Sequence, residues 1–171
     1  MEIAIFENKK FFDFVDGPAG IKKMIQKKIE KRGSLFWNIF FNGYGIILLL
    51  QKKLGINPGD HFEKWLSNSL KIYNISTYKD LFEKRNQIPN LKHRSREDFK
   101  FNPPKMAIIT SDITTHSKVD FPRMGELYWE NINDLQPAKF VRASMSIPYF
   151  FYPYEIKNIP NAGKTLDEKW Q

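Results

Sequence analysis

One run of β-type residues, Met106-Ala107-Ile108-Ile109-Thr110, stands in a chain whose other apolar residues mostly follow a helical period. Nearly all-apolar runs of this length read as strands buried on both faces, and such a strand needs neighbours in a sheet. The polar turn Thr115–Lys118 leads into Val119-Asp120-Phe121, a returning strand. No other run supplies two or more convincing neighbours. The expectation is an α/β chain in which most of the sheet lies outside these residues, so that the 171 residues form an incomplete piece of a larger fold.

The helices can be placed from capping and periodicity. Over residues 18–32, Pro18 suits a first turn, Ile21, Met24, Ile25 and Ile29 make one apolar face, and Gly33 stops the helix. Asp60 followed by Glu63 resembles a capping box, and Phe62, Trp65, Leu66, Ser69, Leu70 and Tyr73 mark the face that follows. Thr77 opens a shorter helix with Asp80, Leu81 and Phe82, ending before Pro89. Residues 86–104, polar and basic and closed by Pro103-Pro104, read as a long exposed loop. Pro137 opens a last helix through Phe140, Val141, Ala143, Ser144 and Met145, stopped at Pro148. The chain then divides into a mainly helical region (1–104), a core strand, turn and helix (105–156) and a polar tail (157–171).

Charge narrows the partners. Lys and Arg number 27 against 19 Asp and Glu, a formal charge of +8, which favours anionic surfaces such as acidic lipid or nucleic acid. Part of the excess sits in Lys22, Lys23, Lys27, Lys28, Lys31 and Arg32, read as a solvated helix face. Another part sits in Lys92, His93, Arg94 and Arg96, with Phe99 and Phe101 nearby. Helix-turn-helix, zinc-finger, RNP and KH signatures are all missing, so nucleic acid is disfavoured, and a non-enzymatic basic module that binds a membrane surface or nucleic acid stands as the alternative to an enzyme fragment. The segment Leu35–Leu50 is apolar but shorter than the roughly 20 residues that cross a bilayer, and Asn38, Asn42, Gly43 and Gly45 interrupt it. It is read as a buried helix or a lid facing membrane, in a cytoplasmic chain with peripheral membrane association open to it.

Nothing in these residues assembles a reaction centre. Cysteine is absent, which removes disulfides, thiolate zinc sites and a thiol nucleophile. His61, His93 and His116 lack metal-ligand spacing. G-x-S-x-G and Gly-rich phosphate loops are missing too. The cluster Ser111, Asp112, His116 and Ser117 contains the residue types of an acyl-transfer relay. Seven residues at a strand end rarely face one another that way, and a polar turn with side-chain-to-backbone bonds from Asp112 and Thr114 is the preferred reading. Catalytic, cofactor and metal residues are all assigned as none.

The segment Ser111-Asp112-Ile113-Thr114-Thr115, followed by Lys118-Val119-Asp120-Phe121, resembles the strand and turn that patatin-like acyl hydrolases carry after their variable helical region. More specific is Val141-Arg142-Ala143-Ser144-Met145-Ser146-Ile147-Pro148, followed by Phe150-Phe151-Tyr152-Pro153-Tyr154-Glu155-Ile156. This R-A-S-x-S-I-P helix end and Phe/Pro segment is similar to the family's approach to its catalytic aspartate. Gly59-Asp60-x-Phe62-x-x-Trp65-Leu66 also looks like the family's helix ahead of that region. The resemblance covers most of residues 55–156.

The resemblance implies a patatin-like three-layer α/β sandwich and a serine phospholipase or lipase, hydrolysing phospholipid or acylglycerol esters through a Ser–Asp dyad with a Gly-rich oxyanion loop. It implies a lipid or membrane partner and no metal or organic cofactor. The family's oxyanion loop and G-x-S-x-G lie upstream of the matching segments and its D-G-G or D-G-A lies downstream; none is encoded here. Asp16-Gly17 is on the wrong side of those segments, and Asp167 lacks the following glycine. The chain is therefore expected to be inactive alone: a truncated product, a catalytically dead relative, or half of a split enzyme completed by a chain carrying the nucleophile. The apolar stretch 35–50 is expected to contact acyl chains or membrane, and Arg142 to Pro148 to pack beneath the active site. The strand at 105–112 and the helix at 137–147 are expected to lack packing partners, leaving a marginally stable chain with apolar surface exposed.

Overall fold

The computed structural model describes residues 9–20, 22–23, 26, 47–48, 50–87, 92–93, 96–100 and 106–160. These form a mixed α/β chain with two small antiparallel sheets. In chain order come a short 3-10 helix (Phe11–Phe14), α1 (Asp60–Ile72), α2 (Tyr78–Asn86), β1 (Lys92–His93), β2 (Arg96–Lys100), β3 (Ile108–Asp112), β4 (Ser117–Phe121), a 3-10 turn (Gly125–Leu127) and α3 (Ala138–Ser144). Residues 19–20, 22–23 and 26 are helical, as are 47–48 and 50–53. Among the described residues no helix is long and apolar enough to cross a membrane. Residues 35–46 and 49 of the apolar stretch and all of the basic run from 27 to 32 lie outside the described residues, as do Arg94, Phe101 and Asp167.

The chain divides into two compact units: Met1–Ser69 with Met145–Glu155, and Leu70–Ser144 with Ile156–Gln171. In the first, Phe14, Phe62 and Trp65 form an aromatic triangle with centroids 4.9 to 5.7 Å apart. Beside it in sequence, Val15 is fully buried. The start of α1 corrects one expectation. Asp60 is the first residue of the helix rather than its cap, and the flanking Gly59 takes a φ of 85°, a conformation glycine adopts without steric cost. The capping carboxylate comes from 43 residues upstream: Asp16 accepts from the Gly59 N–H at 2.9 Å and the His61 N–H at 3.0 Å. An anion is favoured there because the first-turn N–H groups have no partner within the helix.

Asn57 organises the same unit. Its side chain accepts from the Gly17 N–H at 2.9 Å and donates to the Phe150 carbonyl at 3.1 Å. Its backbone N–H also donates to Phe150, at 2.9 Å, and its carbonyl accepts from the Tyr152 N–H at 2.8 Å. The result is a parallel bridge between Asn57 and Phe151. Asn57 is completely buried and Phe151 nearly so. Gly17 is required by close approach, since a Cβ there would meet the Ile56 carbonyl oxygen at 2.6 Å and Asn57 Oδ1 at 2.8 Å.

In the second unit, β3 and β4 pair antiparallel from Ile108↔Phe121 to Asp112↔Ser117. Val119 and Phe121, two residues apart on β4, turn one face inward. Phe121 lies 5.6 Å from Tyr128, 5.1 Å from Trp129 and 5.3 Å from Phe140, whose ring stacks on it. Met124, Ile132, Leu135 and Ala138 complete this core. The returning strand at 119–121, the helix after Pro137 and the helix after Thr77 all stand where the sequence places them. The last has a reciprocal box, with Thr77 accepting from the Asp80 N–H at 3.2 Å and Asp80 from the Thr77 N–H at 2.8 Å.

Three expectations fail. β3 is not buried on both faces: Ile109 is 45% exposed, because its strand neighbour is the antiparallel β4 and the outward face of this hairpin is uncovered. β3 and α3 do not lack partners, since they pack on each other. The Thr110 hydroxyl donates to the Ala143 carbonyl at 3.1 Å and the Ser144 hydroxyl to the Ile109 carbonyl at 2.6 Å. Residues 86–104 are not all loop, since β1 and β2 pair antiparallel within them, Lys92 opposite Lys100 and His93 opposite Arg96. Backbone pairing needs no apolar side chain, so a charged hairpin leaves little trace in hydrophobic pattern.

Asn57→Ala strands the Gly17 N–H and removes one bond to Phe150. It is expected to cost about 1–3 kcal/mol, read as a lower urea midpoint. Asn57→Asp keeps the acceptor but buries a carboxylate against the Phe150 carbonyl, so near neutral pH its midpoint should be at least as low as that of Asn57→Ala, and it should recover as the carboxyl is protonated.

Candidate functional site

The residue types of an acyl-transfer relay meet at the β3–β4 turn, and backbone geometry decides what they do. Side chains alternate along a strand, so Ser111 and Asp112 point to opposite faces of β3. Ser111 is exposed opposite Lys118, whereas Asp112 turns toward the 3-10 segment and is partly covered. Asp112 Oδ1 accepts from the N–H groups of Thr114 (2.8 Å) and Thr115 (3.3 Å), an Asx turn that closes the hairpin. Oδ2 accepts from the Tyr128 hydroxyl at 3.0 Å. Both oxygens are thus occupied by the turn and by Tyr128. His116 is exposed at the turn with a φ of 54°, and the Ser117 hydroxyl shares a short hydrogen bond with Thr115. The four residues sit side by side without forming a Ser–His–Asp relay.

Tyr128 carried no signal in the sequence, since a lone tyrosine after a glycine turn looks like any core aromatic. The structure makes it the partner of Asp112, with its ring against Phe121 and only 5% of its surface exposed. Burial alone would raise the Asp112 carboxyl. Hydrogen bonds from the Thr115 hydroxyl, the Thr114 N–H and the Tyr128 hydroxyl outweigh it and hold the group below the usual carboxylate range. Burial, then the bond to Asp112 and its charge, push the Tyr128 hydroxyl above its ordinary value. The pair is a charge-assisted clamp on the hairpin.

The R-A-S-x-S-I-P segment straddles the division between the units. Its helical half, through Ser144, is bonded to β3, and Arg142 is buried in α3 at 3% exposure. Its second half runs on the outside of the other unit, where Ile147, Pro148 and Tyr149 are exposed, until Phe151 turns inward beside Asn57. Arg142 and Ala143 are thus packed in the interior, whereas Ile147 and Pro148 are on the surface. Asp16, set aside as a catalytic acid from its position in the chain, is the cap of α1. Burial and the Asp16 charge together raise the Tyr152 hydroxyl. Among the described residues no three His, Asp or Glu side chains gather as metal ligands.

No protein-family model matches this chain, and no solved structure does. Over 115 residues it is 27% identical to an uncharacterized protein, YqhO, of Bacillus subtilis (strain 168). The match takes in 67% of this chain and 33% of that protein, so the chain matches about a third of the length of its curated relative.

The Asp112–Tyr128 pair sets how stability varies with pH. The lowered Asp112 value contributes stability that is full above the unfolded pKa of about 3.9 and is lost as pH falls through the folded value. The raised Tyr128 value contributes stability that is full below about pH 10 and is lost as pH rises through the folded value. Asp112→Asn is expected to flatten the acid limb and Tyr128→Phe the alkaline limb, measured by urea unfolding across pH.

Proposed function

We propose that this chain is the middle portion of a patatin-like serine acyl hydrolase, a three-layer α/β lipid esterase, and that by itself it supplies scaffold rather than turnover. What supports the reading is the hydrogen bond from Ser144 to Ile109. It joins the two most specific resembling pieces, the R-A-S-x-S-I-P helix end and the strand that leads into S-D-I-T-T. Segments that come from one ancestral site are expected to remain in contact.

In this reading β3 is the strand beside which the missing sheet would stand, and its exposed Ile109 and Ile113 are surfaces a fuller domain would cover. Asp112 and Tyr128 shape the turn and take no proton from substrate. The chemistry would be attack of a serine hydroxyl on a phospholipid or acylglycerol ester, with a carboxylate receiving the proton and backbone N–H groups holding the oxyanion. Those groups would come from residues outside the 171, in the same polypeptide or in a complementing one. No cofactor is called for, and the chain would act in the cytoplasm at a membrane surface.

The purified chain is expected to show no hydrolysis of a short acyl ester above background. Phosphonate-sensitive turnover would overturn the scaffold assignment. The DNA on either side should encode a G-x-S-x-G ahead of these residues and a D-G-G or D-G-A after them; flanks without either would remove the family reading.

A further inference from the structure

Leu54 and Tyr149 are large apolar residues in the left-handed backbone region, at φ 56° and 67°. They are also among the most exposed, at 51% and 71%. Each feature opposes stability: side chains of this bulk rarely tolerate the conformation, and apolar surface prefers burial. The two belong to one feature. The Tyr149 N–H donates to the Leu54 carbonyl at 3.2 Å, and the next residues are locked by bonds from Ile56 and Asn57 to Phe150. The bonds that bury Asn57 and Phe151 hold their neighbours Leu54 and Tyr149 outward.

More apolar surface flanks this pair. Ile147, 60% exposed, lies in the same turn, its carbonyl accepting from the N–H groups of Phe150 and Phe151. Ile47, 54% exposed, belongs to the helical residues that precede Leu54 in the chain. Lys52 and Lys53 are exposed at the end of that helical stretch. Residues 47–54 contain no acid, and residues 145–150 contain no charge at all. In the same unit, the Asp16 carboxylate is engaged by the N–H groups of Gly59 and His61.

We infer that Ile47, Leu54, Ile147 and Tyr149, with Lys52 and Lys53, form a docking surface for an anionic lipid bilayer. This deepens the lipid reading above and rests on it for the class of partner; the residues are chosen by exposure, strain and charge. Aliphatic side chains enter the acyl boundary, a tyrosine ring suits the headgroup level, and lysines reach back to acidic headgroups over their methylene stems. Nucleic-acid phosphate would engage the lysines but leave the three aliphatic side chains without a partner.

The test is co-sedimentation of the full chain with vesicles of phosphatidylcholine mixed with phosphatidylglycerol, and with phosphatidylcholine alone. Binding is expected to the anionic vesicles and to weaken with salt. Leu54→Asn with Tyr149→Asn keeps residues that accept left-handed backbone, so the fold should persist by circular dichroism while binding falls about tenfold or more. Lys52→Gln with Lys53→Gln should lower binding by a similar factor and flatten the salt dependence. Ile72→Ser, a change at another exposed apolar side chain, should bind as the parent does. The inference is overturned if the parent ignores both kinds of vesicle, or if both double variants bind like the parent. The second outcome would leave the hydrolase reading standing, because the flanking-DNA test does not depend on this surface.

Discussion

A single buried amide, that of Asn57, determines how the first unit is built. An asparagine without solvent must satisfy both halves of its side chain, and here the acceptor takes Gly17 while the donor takes Phe150. Three segments distant in sequence are thereby brought to one point. The Asp16–Gly17 corner is then close enough to cap α1, and Phe151 is drawn inward next to Asn57. The left-handed residues Leu54 and Tyr149 flank this hub and are joined by a backbone bond of their own.

The second unit relies on aromatic packing in place of a polar hub. Phe121 is contacted by Tyr128, Trp129 and Phe140, so the hairpin, the 3-10 turn and α3 share one ring cluster. Around its edge, polar side chains perform limited structural tasks. Asp112 closes the turn, and Thr110 and Ser144 cross-link β3 to the end of α3. These residues resemble parts of an active site by type, but their partners are backbone groups and Tyr128. The proposed hydrolase chemistry therefore needs groups from beyond these residues. The two halves of the R-A-S-x-S-I-P segment differ in burial: Arg142 and Ala143 are covered, whereas Ile147 and Pro148 are exposed.

Much of the secondary structure was legible because its signals are local. Thr77 and Asp80 announce α2 through a box that closes within one turn, and Pro137 announces α3 by its own ring geometry. Val119 and Phe121 announce β4 by alternation. Three features escaped for a common reason: their partners are remote or leave no apolar pattern. The cap of α1 is Asp16 and not the adjacent Asp60, the β1–β2 pairing is carried by backbone within a charged segment, and the open face of β3 depends on which strand lies beside it. In the candidate site, the Asx turn at Asp112 could be read from a strand end followed by Thr-Thr, whereas Tyr128 and Asn57 could not be singled out.

By itself the amino-acid sequence determined the starts of α2 and α3, the returning strand, the basic balance and the absence of a G-x-S-x-G. Each of these is a property of neighbouring residues or of composition, and needs no knowledge of distant contacts. Tertiary structure alone decided that Asp16 is a cap, that Asn57 is a buried hub, that Ser144 ties α3 to β3, and that Leu54 and Tyr149 stand outward together. Those outcomes depend on hydrogen bonds closing across 35 to 95 residues of chain. Such bonds form only when packing has brought both partners out of water, and sequence spacing carries no record of that.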